Sequence, residues 1–238
     1  MAKGRIGLWL IGAKGGVATT VMTGLTALAR GLVEPIGLIT ETEAFHALNL
    51  IDWSDVVIGG HDIRHASLLD EARRMWTVSR AIPPGVLEAV APDLIDIETR
   101  LRPGTVLASG TSIQAIASLP ESKSAKTPRS IVDQIRTDIL DFAEANDVER
   151  VVVVNLASTE PPWSLPIPDN FDKISSLLEN ASESSPLPTS SLYAIAAFEA
   201  DAAYINFTPS TGATPQALNN LAKQRGLPHA GCDGKTGE

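Results

Sequence analysis

Cysteine is nearly absent: Cys232 is the only one in 238 residues. A single thiol excludes a disulfide framework and a cysteine-built zinc site, and it suits a reducing compartment such as the cytoplasm. The four histidines, His46, His61, His65 and His229, make no helical metal-site pattern, so no structural metal is expected. No apolar run approaches the ~20 residues that cross a bilayer. Lys3 and Arg5 precede an apolar run from Ile6, as in a signal peptide. That run stops at Ala13 before Lys14 without a small-residue cleavage pattern, and it reads as a first strand. Positive charge is scarce as well: 19 basic against 28 acidic residues leave a net charge of −9. That balance argues against a broad nucleic-acid footprint, while leaving room for a small basic pocket for a phosphorylated metabolite.

What is present is globular. Hydrophobic residues make up 44% and charged residues 20%, which excludes a disordered chain. The length suits one larger domain with its own core. No internal repeat or low-complexity tract interrupts it. Strand-like and helix-like segments alternate. Apolar strands are expected at Ile6–Ile11, Ile36–Thr40, Val56–Ile58, Val106–Ala108, Val151–Val154, Ala202–Phe207 and His229–Cys232. Between them lie helical patterns, among them Val21 to Ala29, Leu68 to Trp76, a short one at Val86 to Val90, and Ile131 to Ala143. Phe171 to Ala181, an apolar Ser191–Ala200 and Ala217 to Ala222 complete the set, the last with Thr214 as cap and Pro215 as first helical residue. The polar segment Glu121–Ser130 reads as a mobile loop. Such β-α-β alternation implies an α/β fold: a Rossmann-like, doubly wound, mostly parallel sheet with helices on both faces.

The first strand runs into Gly12-Ala13-Lys14-Gly15-Gly16-Val17-Ala18 and then a helix. A glycine-rich turn there lets backbone N–H groups approach a pyrophosphate, and the helix N-terminus adds partial positive charge. The turn departs from the G-x-G-x-x-G fingerprint, because Lys14 and Ala18 occupy its second and third glycine positions. A tight turn that binds nothing fits the same residues. A P-loop is excluded, since no Gly-Lys-Ser/Thr closes the turn, and Gly234-Lys235-Thr236 has His229 where the first glycine belongs. Glu41 ends the expected second strand, where an acid accepts hydrogen bonds from an adenosine ribose and repels a 2′-phosphate; a solvated carboxylate fits equally. Asp62 ends the third expected strand beside His61 and Arg64. His61 is either a proton carrier or a packed side chain. Ser109-Gly110-Thr111 and Ala157-Ser158-Thr159 also follow strands, and small residues there admit a flat cofactor ring. Ordinary turn chemistry is the alternative for each. Asp233 and Lys235 follow the last strand on the same rim, where a lysine could polarise a carbonyl or neutralise a phosphate.

These pieces, in order, resemble the NAD-dependent myo-inositol-1-phosphate (inositol-3-phosphate) synthases, especially their shorter bacterial and archaeal-type branch. The matching stretches are Gly12–Thr20, Gly59–Arg64, Val151–Glu160, Tyr204–Pro209 and Ala230–Glu238. The resemblance implies a reaction: glucose 6-phosphate is oxidised at C5 by NAD, an enolate closes on C1, and the ring ketone is reduced again. It implies that Gly12, Gly15, Gly16 and Val17 hold the pyrophosphate, together with Ala13 and Lys14 of the same turn. Asp62 would contact the adenosine part, and Ala157 would line the cofactor cleft with Ser158 and Ser109. Asn206, Asp233 and Lys235 would lie near nicotinamide and substrate, with Asp233 and Lys235 in catalytic roles.

Family members are longer than this chain, and their catalytic and tetramerising region lies beyond Lys235. Residues 1–238 are therefore expected to be one NAD-binding domain that ends before that region. The partners implied are glucose 6-phosphate and a homo-oligomer or a companion C-terminal half, with no nucleic acid and no membrane. Two other readings stand beside a synthase. One is a catalytically silent NAD-binding scaffold. The other is a different NAD-linked sugar-phosphate oxidoreductase, weakened because Tyr193 and Tyr204 have Ala197 and Thr208 where a Tyr-x-x-x-Lys pair needs lysine.

Overall fold

The structure is a computed structural model that describes residues 4–124, 126–181 and 184–234. Six strands form one parallel sheet: β1 (Arg5–Ile11), β2 (Val56–Asp62), β3 (Leu101–Pro103), β4 (Val148–Asn155), β5 (Ala203–Asn206) and β6 (His229–Ala230). Their spatial order is β3-β2-β1-β4-β5-β6, the order of dinucleotide-binding doubly wound sheets. The chain leaves β1 in one direction through β2 and β3, then returns to build β4, β5 and β6 on the other side. The two directions meet between β1 and β4.

Side-chain alternation along the strands divides the core in two. Trp9 and Ile11 of β1, with Val57, Val151 and Val153, face one layer. It is covered by α5 (Pro128–Ala145), α6 (Phe171–Asn180), α7 (Thr189–Glu199) and α8 (Gln216–Gln224). Leu8 and Leu10 of β1, with Ile58, face the opposite layer. There α1 (Gly16–Ala29), α2 (Leu68–Ser79) and α3 (Pro84–Glu98) pack. A strand buried on both faces is what parallel pairing through helical crossovers requires. Within the first layer α7 is buried along nearly its whole length, from Thr189 to Phe198, which explains its lack of a polar face. A short α4 (Thr111–Ile116) closes the set.

Several expectations need correction. Ile36–Thr40 is not a strand. It lies in a long connection from α1 to β2 that makes 3-10 turns at Ile39–Glu41, Glu43–Phe45 and Trp53–Asp55. Both flanks of β1 are already taken by β2 and β4, so the segment has no place beside β1, and Gly37 at φ +82° breaks the extended path. Val106–Ala108 is a turn: Ser109 N–H donates to the Val106 carbonyl, and Ala108 is left-handed at φ +61°. The strand lies upstream at Leu101–Pro103, on the sheet edge where Pro103 leaves no ladder bond unmade. The helix at Val86–Val90 extends over Pro84–Glu98. Part of the expected loop Glu121–Ser130 is helical, since Thr127 caps α5 by accepting from Ser130 N–H. Pro215 is the cap of α8 rather than its first residue, because the Thr214 hydroxyl turns back to the Thr211 carbonyl.

The closest approach in the sheet is at Gly60. A Cβ there would stand 2.2 Å from the Leu10 carbonyl oxygen of the neighbouring strand. Gly60→Ala must push β1 from β2, and a loss of about 3 kcal/mol is expected from urea unfolding; an unchanged midpoint would contradict this packing.

Candidate functional site at the carboxyl edge of the sheet

The β1–α1 turn is held from below by β2. Gly12 and Ala13 N–H both donate to the His61 carbonyl, at 2.9 and 3.0 Å. Gly12 has φ +79°, and a Cβ on it would lie 2.8 Å from Ala157 Cα, so this position requires glycine twice over. Gly15 N–H returns to the Gly12 carbonyl at 2.9 Å. The Asp62 carboxylate then fastens the crest of the turn. One oxygen accepts from Lys14 N–H at 2.6 Å and the other from Arg64 N–H at 2.8 Å. The Arg64 guanidinium reaches back to the Lys14 carbonyl, so both backbone groups of Lys14 are engaged from the end of β2. Bonds to a charged acceptor are among the stronger ones, about 1.5–3 kcal/mol each.

Lys14 therefore occupies a glycine position without filling the space above the turn. Its Nζ pairs with Glu98 at 2.9 Å and donates to the Ala66 carbonyl. The second Glu98 oxygen accepts from Leu68 N–H at 3.1 Å, at the start of α2. The side chain ties the turn to α2 and α3 and leaves its outer backbone face open. Behind it, α1 begins at Gly16 with no side-chain cap and no acid in its first turn. Its leading N–H groups and positive dipole end are left for a ligand.

That end opens into a cavity of about 210 Å³ along the carboxyl edge. Gly12, Gly15, Gly16, Asp62, Ser109, Ala157 and Ser158 of the expected site line it together. Ala13, Lys14, Val17, Glu41, Asn206 and Asp233 lie outside the lining. Ala13 is buried in the α1–α3 layer, Lys14 is turned away, and Val17 is half exposed at the start of α1. Glu41 is exposed on a 3-10 turn, and the strand on which its ribose role rested does not form. Asp62 takes the place at the end of the second strand. Asn206 is buried, accepting from Asn155 at 3.1 Å and donating to the Ser210 carbonyl at 2.7 Å, so its amide is engaged within the protein. Asp233 is exposed beyond β6, and Lys235 lies outside the described residues.

Other lining residues carried little sequence signal. Arg64 and Arg74 bring positive charge to the Asp62 end. Glu160 enters from the loop after β4, accepting from the Ser190 N–H at 2.9 Å and from the Ser190 hydroxyl. Burial holds its carboxyl above the usual carboxylate range, against the opposing pull of those bonds. Its place at the close of the Ala-Ser-Thr-Glu run was the available clue. Tyr193 comes from the middle of α7 and had none. His61 is a packed side chain: Trp9 Nε1–H donates to its Nδ1 at 3.0 Å, so Nε2 carries the hydrogen toward Asp138, also at 3.0 Å.

The family model described as myo-inositol-1-phosphate synthase matches residues 6–236. The chain belongs to that family, and the matched part is the family's NAD-binding part. The chain is 31% identical over its whole length to inositol-3-phosphate synthase 1 of Bacteroides thetaiotaomicron, of which it covers 56%. It is 28% identical to the inositol-3-phosphate synthase of Dictyostelium discoideum, covering 98% of this chain and 49% of that one. The fold is also that of the inositol-3-phosphate synthase of Caenorhabditis elegans, with a TM-score of 0.79, 19% identity, and 97% and 49% of the two chains covered. The chain thus spans about half the length of the relatives it matches. The open turn, the uncapped α1 and the adjoining cavity fit a dinucleotide.

Two outcomes follow from this geometry. Asp62→Asn replaces one acceptor oxygen by an NH2 facing a backbone N–H, and a stability loss of about 2 kcal/mol is expected by urea unfolding. Glu160 binds its proton more tightly in the folded than in the unfolded chain, so its contribution to stability falls as pH rises through the raised pKa. Glu160→Gln should therefore gain on the wild type between acid and neutral pH. A difference in unfolding free energy that does not change with pH would contradict the raised carboxyl.

Proposed function

We propose that this chain is the NAD-binding part of an inositol-3-phosphate synthase, which converts glucose 6-phosphate to 1D-myo-inositol 3-phosphate. The observation that carries the reading is the clamped glycine-rich turn ahead of an uncapped α1, opening at the point where the sheet reverses direction. When bound, NAD supplies a reversible hydride acceptor. The chain's own residues bind and orient. Gly12, Gly15 and Gly16 give the pyrophosphate a close backbone approach, and the first N–H groups of α1 face its charge. Asp62, Arg64 and Arg74 belong to the adenosine end. Ala157, Ser158 and Ser109 border the ring, and Asp233 with Lys235 is assigned to the substrate side.

Division of labour is part of the proposal. No lysine lines the cavity among the described residues, while enolate and alkoxide charge requires a cationic partner. The remaining length of the relatives, on the same or another chain, or a second copy in a homo-oligomer, is the proposed source. The lone exposed Cys232 fits a reducing, cytoplasmic setting.

Calorimetry with NAD followed by glucose 6-phosphate turnover in the same sample tests both parts. Binding without turnover is the expected result, and Gly12→Ala should weaken binding by about tenfold or more. Failure of the wild type to bind NAD would overturn the reading. Turnover by this chain alone would overturn the division of labour.

A further inference from the structure

The polar stretch Glu121–Ser130 plays no part in the cofactor cavity, yet it carries Lys123 and Lys126, two of the few lysines in an acidic chain. Its beginning folds as the end of a 3-10 turn, Pro120–Lys123. The backbone of Ser122 holds that turn in place. Its N–H donates to the Leu119 carbonyl at 3.2 Å, and its carbonyl accepts from Val106 N–H at 3.2 Å. The turn is thereby fastened against the bend that follows β3. Between the two opens a second cavity, of about 480 Å³. The Thr105–Ala108 bend forms one wall, and Ser122, Lys123 and Lys126 stand on another.

The groups facing this space are unmatched in one sense of charge. The chain has an excess of nine negative charges, yet no carboxylate lines the cavity. Neither Lys123 nor Lys126 has an ion-pair partner among the described residues. Ser122 is only 3% exposed, and its hydroxyl has no hydrogen-bond partner among the described residues. The hydroxyl of Ser124, by contrast, donates to the Glu121 carbonyl at 2.6 Å. Buried hydroxyls nearly always find a partner. One left over beside two unpaired ammonium groups calls for a ligand with negative charge and several acceptor oxygens. A phosphate monoester carries up to two negative charges and three strong acceptor oxygens, one for each of the three groups.

We propose that this cavity is an anion site for a phosphate group, held by the Lys123 and Lys126 ammonium groups and the Ser122 hydroxyl. It stands apart from the cofactor cavity and does not rest on the NAD-binding reading. Thr105 is the one lining residue the two cavities share, so the bend after β3 is the wall between them.

The experiment is calorimetry on the full chain in phosphate-free buffer at low salt, with inorganic phosphate and glycerol 3-phosphate as probes. Lys123→Gln and Lys126→Gln should each weaken binding about tenfold, and Ser122→Ala about fivefold. Lys173→Gln, which removes the same charge from exposed α6, should change nothing. Both cavity lysines are exposed, so their variants keep the fold. Ser122→Ala deletes a hydroxyl without a partner, and its urea midpoint should be no lower than that of the wild type. Equal affinity for the two probes assigns the site to the bare phosphate group, and tighter glycerol 3-phosphate assigns it to a monoester. Wild type that binds neither probe would overturn the proposal. So would binding that survives in the Lys123→Gln, Lys126→Gln double variant, since the phosphate would then sit elsewhere, or an equal loss in Lys173→Gln, since net charge alone would then explain it.

Discussion

The Asp62 carboxylate is the point on which the site depends. It closes β2, accepts the Lys14 and Arg64 backbone N–H groups, and sits 3.5 Å from the Arg64 guanidinium. Through it the end of one strand dictates the path of the turn leaving its neighbour. A glycine-rich turn has high conformational entropy in the unfolded chain, and ordering it needs compensating bonds. Here they come from the β2 end, from the His61 carbonyl and from the Lys14 ion pair with Glu98. The shortfall of fingerprint glycines is thereby offset. What the second glycine normally provides, an unobstructed backbone face, is provided by steering the Lys14 side chain elsewhere.

The same economy runs through the far side of the cavity. Asn155 and Asn206 are register partners at the ends of β4 and β5, joined side chain to side chain at 3.1 Å. Thr208 and Ser210 extend that network, and Glu160 links it to α7 through Ser190. The loops that shape the cavity are thus bonded to one another rather than left to solvent. Buried networks of this kind specify one arrangement when every member is satisfied. Groups left over at the cavity wall are then the ones with chemistry to offer.

Much of this was legible in the sequence because it is local. The apolar run before Gly12, the four valines of Val151–Val154 and the short residues just after strands all speak through neighbours in the chain. They sufficed for the parallel α/β class and for the cluster of Gly12, Gly15, Gly16, Asp62, Ser109, Ala157 and Ser158 around one cavity. What was missed depends on tertiary competition. Ile36 and Ile39 have strand-like composition, but β1 has no free edge to pair with them, and they stay 88% and 69% exposed. Pro103 disguised a real edge strand. Tyr193 looks like one more apolar position on a buried helix, and only packing aims its hydroxyl at the cavity. Arg64 reads as a loop charge until the Lys14 carbonyl is seen beneath it.

The central claim is that the turn is preformed and that its open N–H groups receive the cofactor. Amide hydrogen exchange with and without NAD tests it most directly. The Lys14 amide should exchange slowly already in the free protein, because Asp62 holds it, and the amides of Gly16, Val17 and Ala18 should gain protection when NAD is added. A fast Lys14 amide in the free protein, or NAD-induced protection that bypasses the start of α1, would contradict the account.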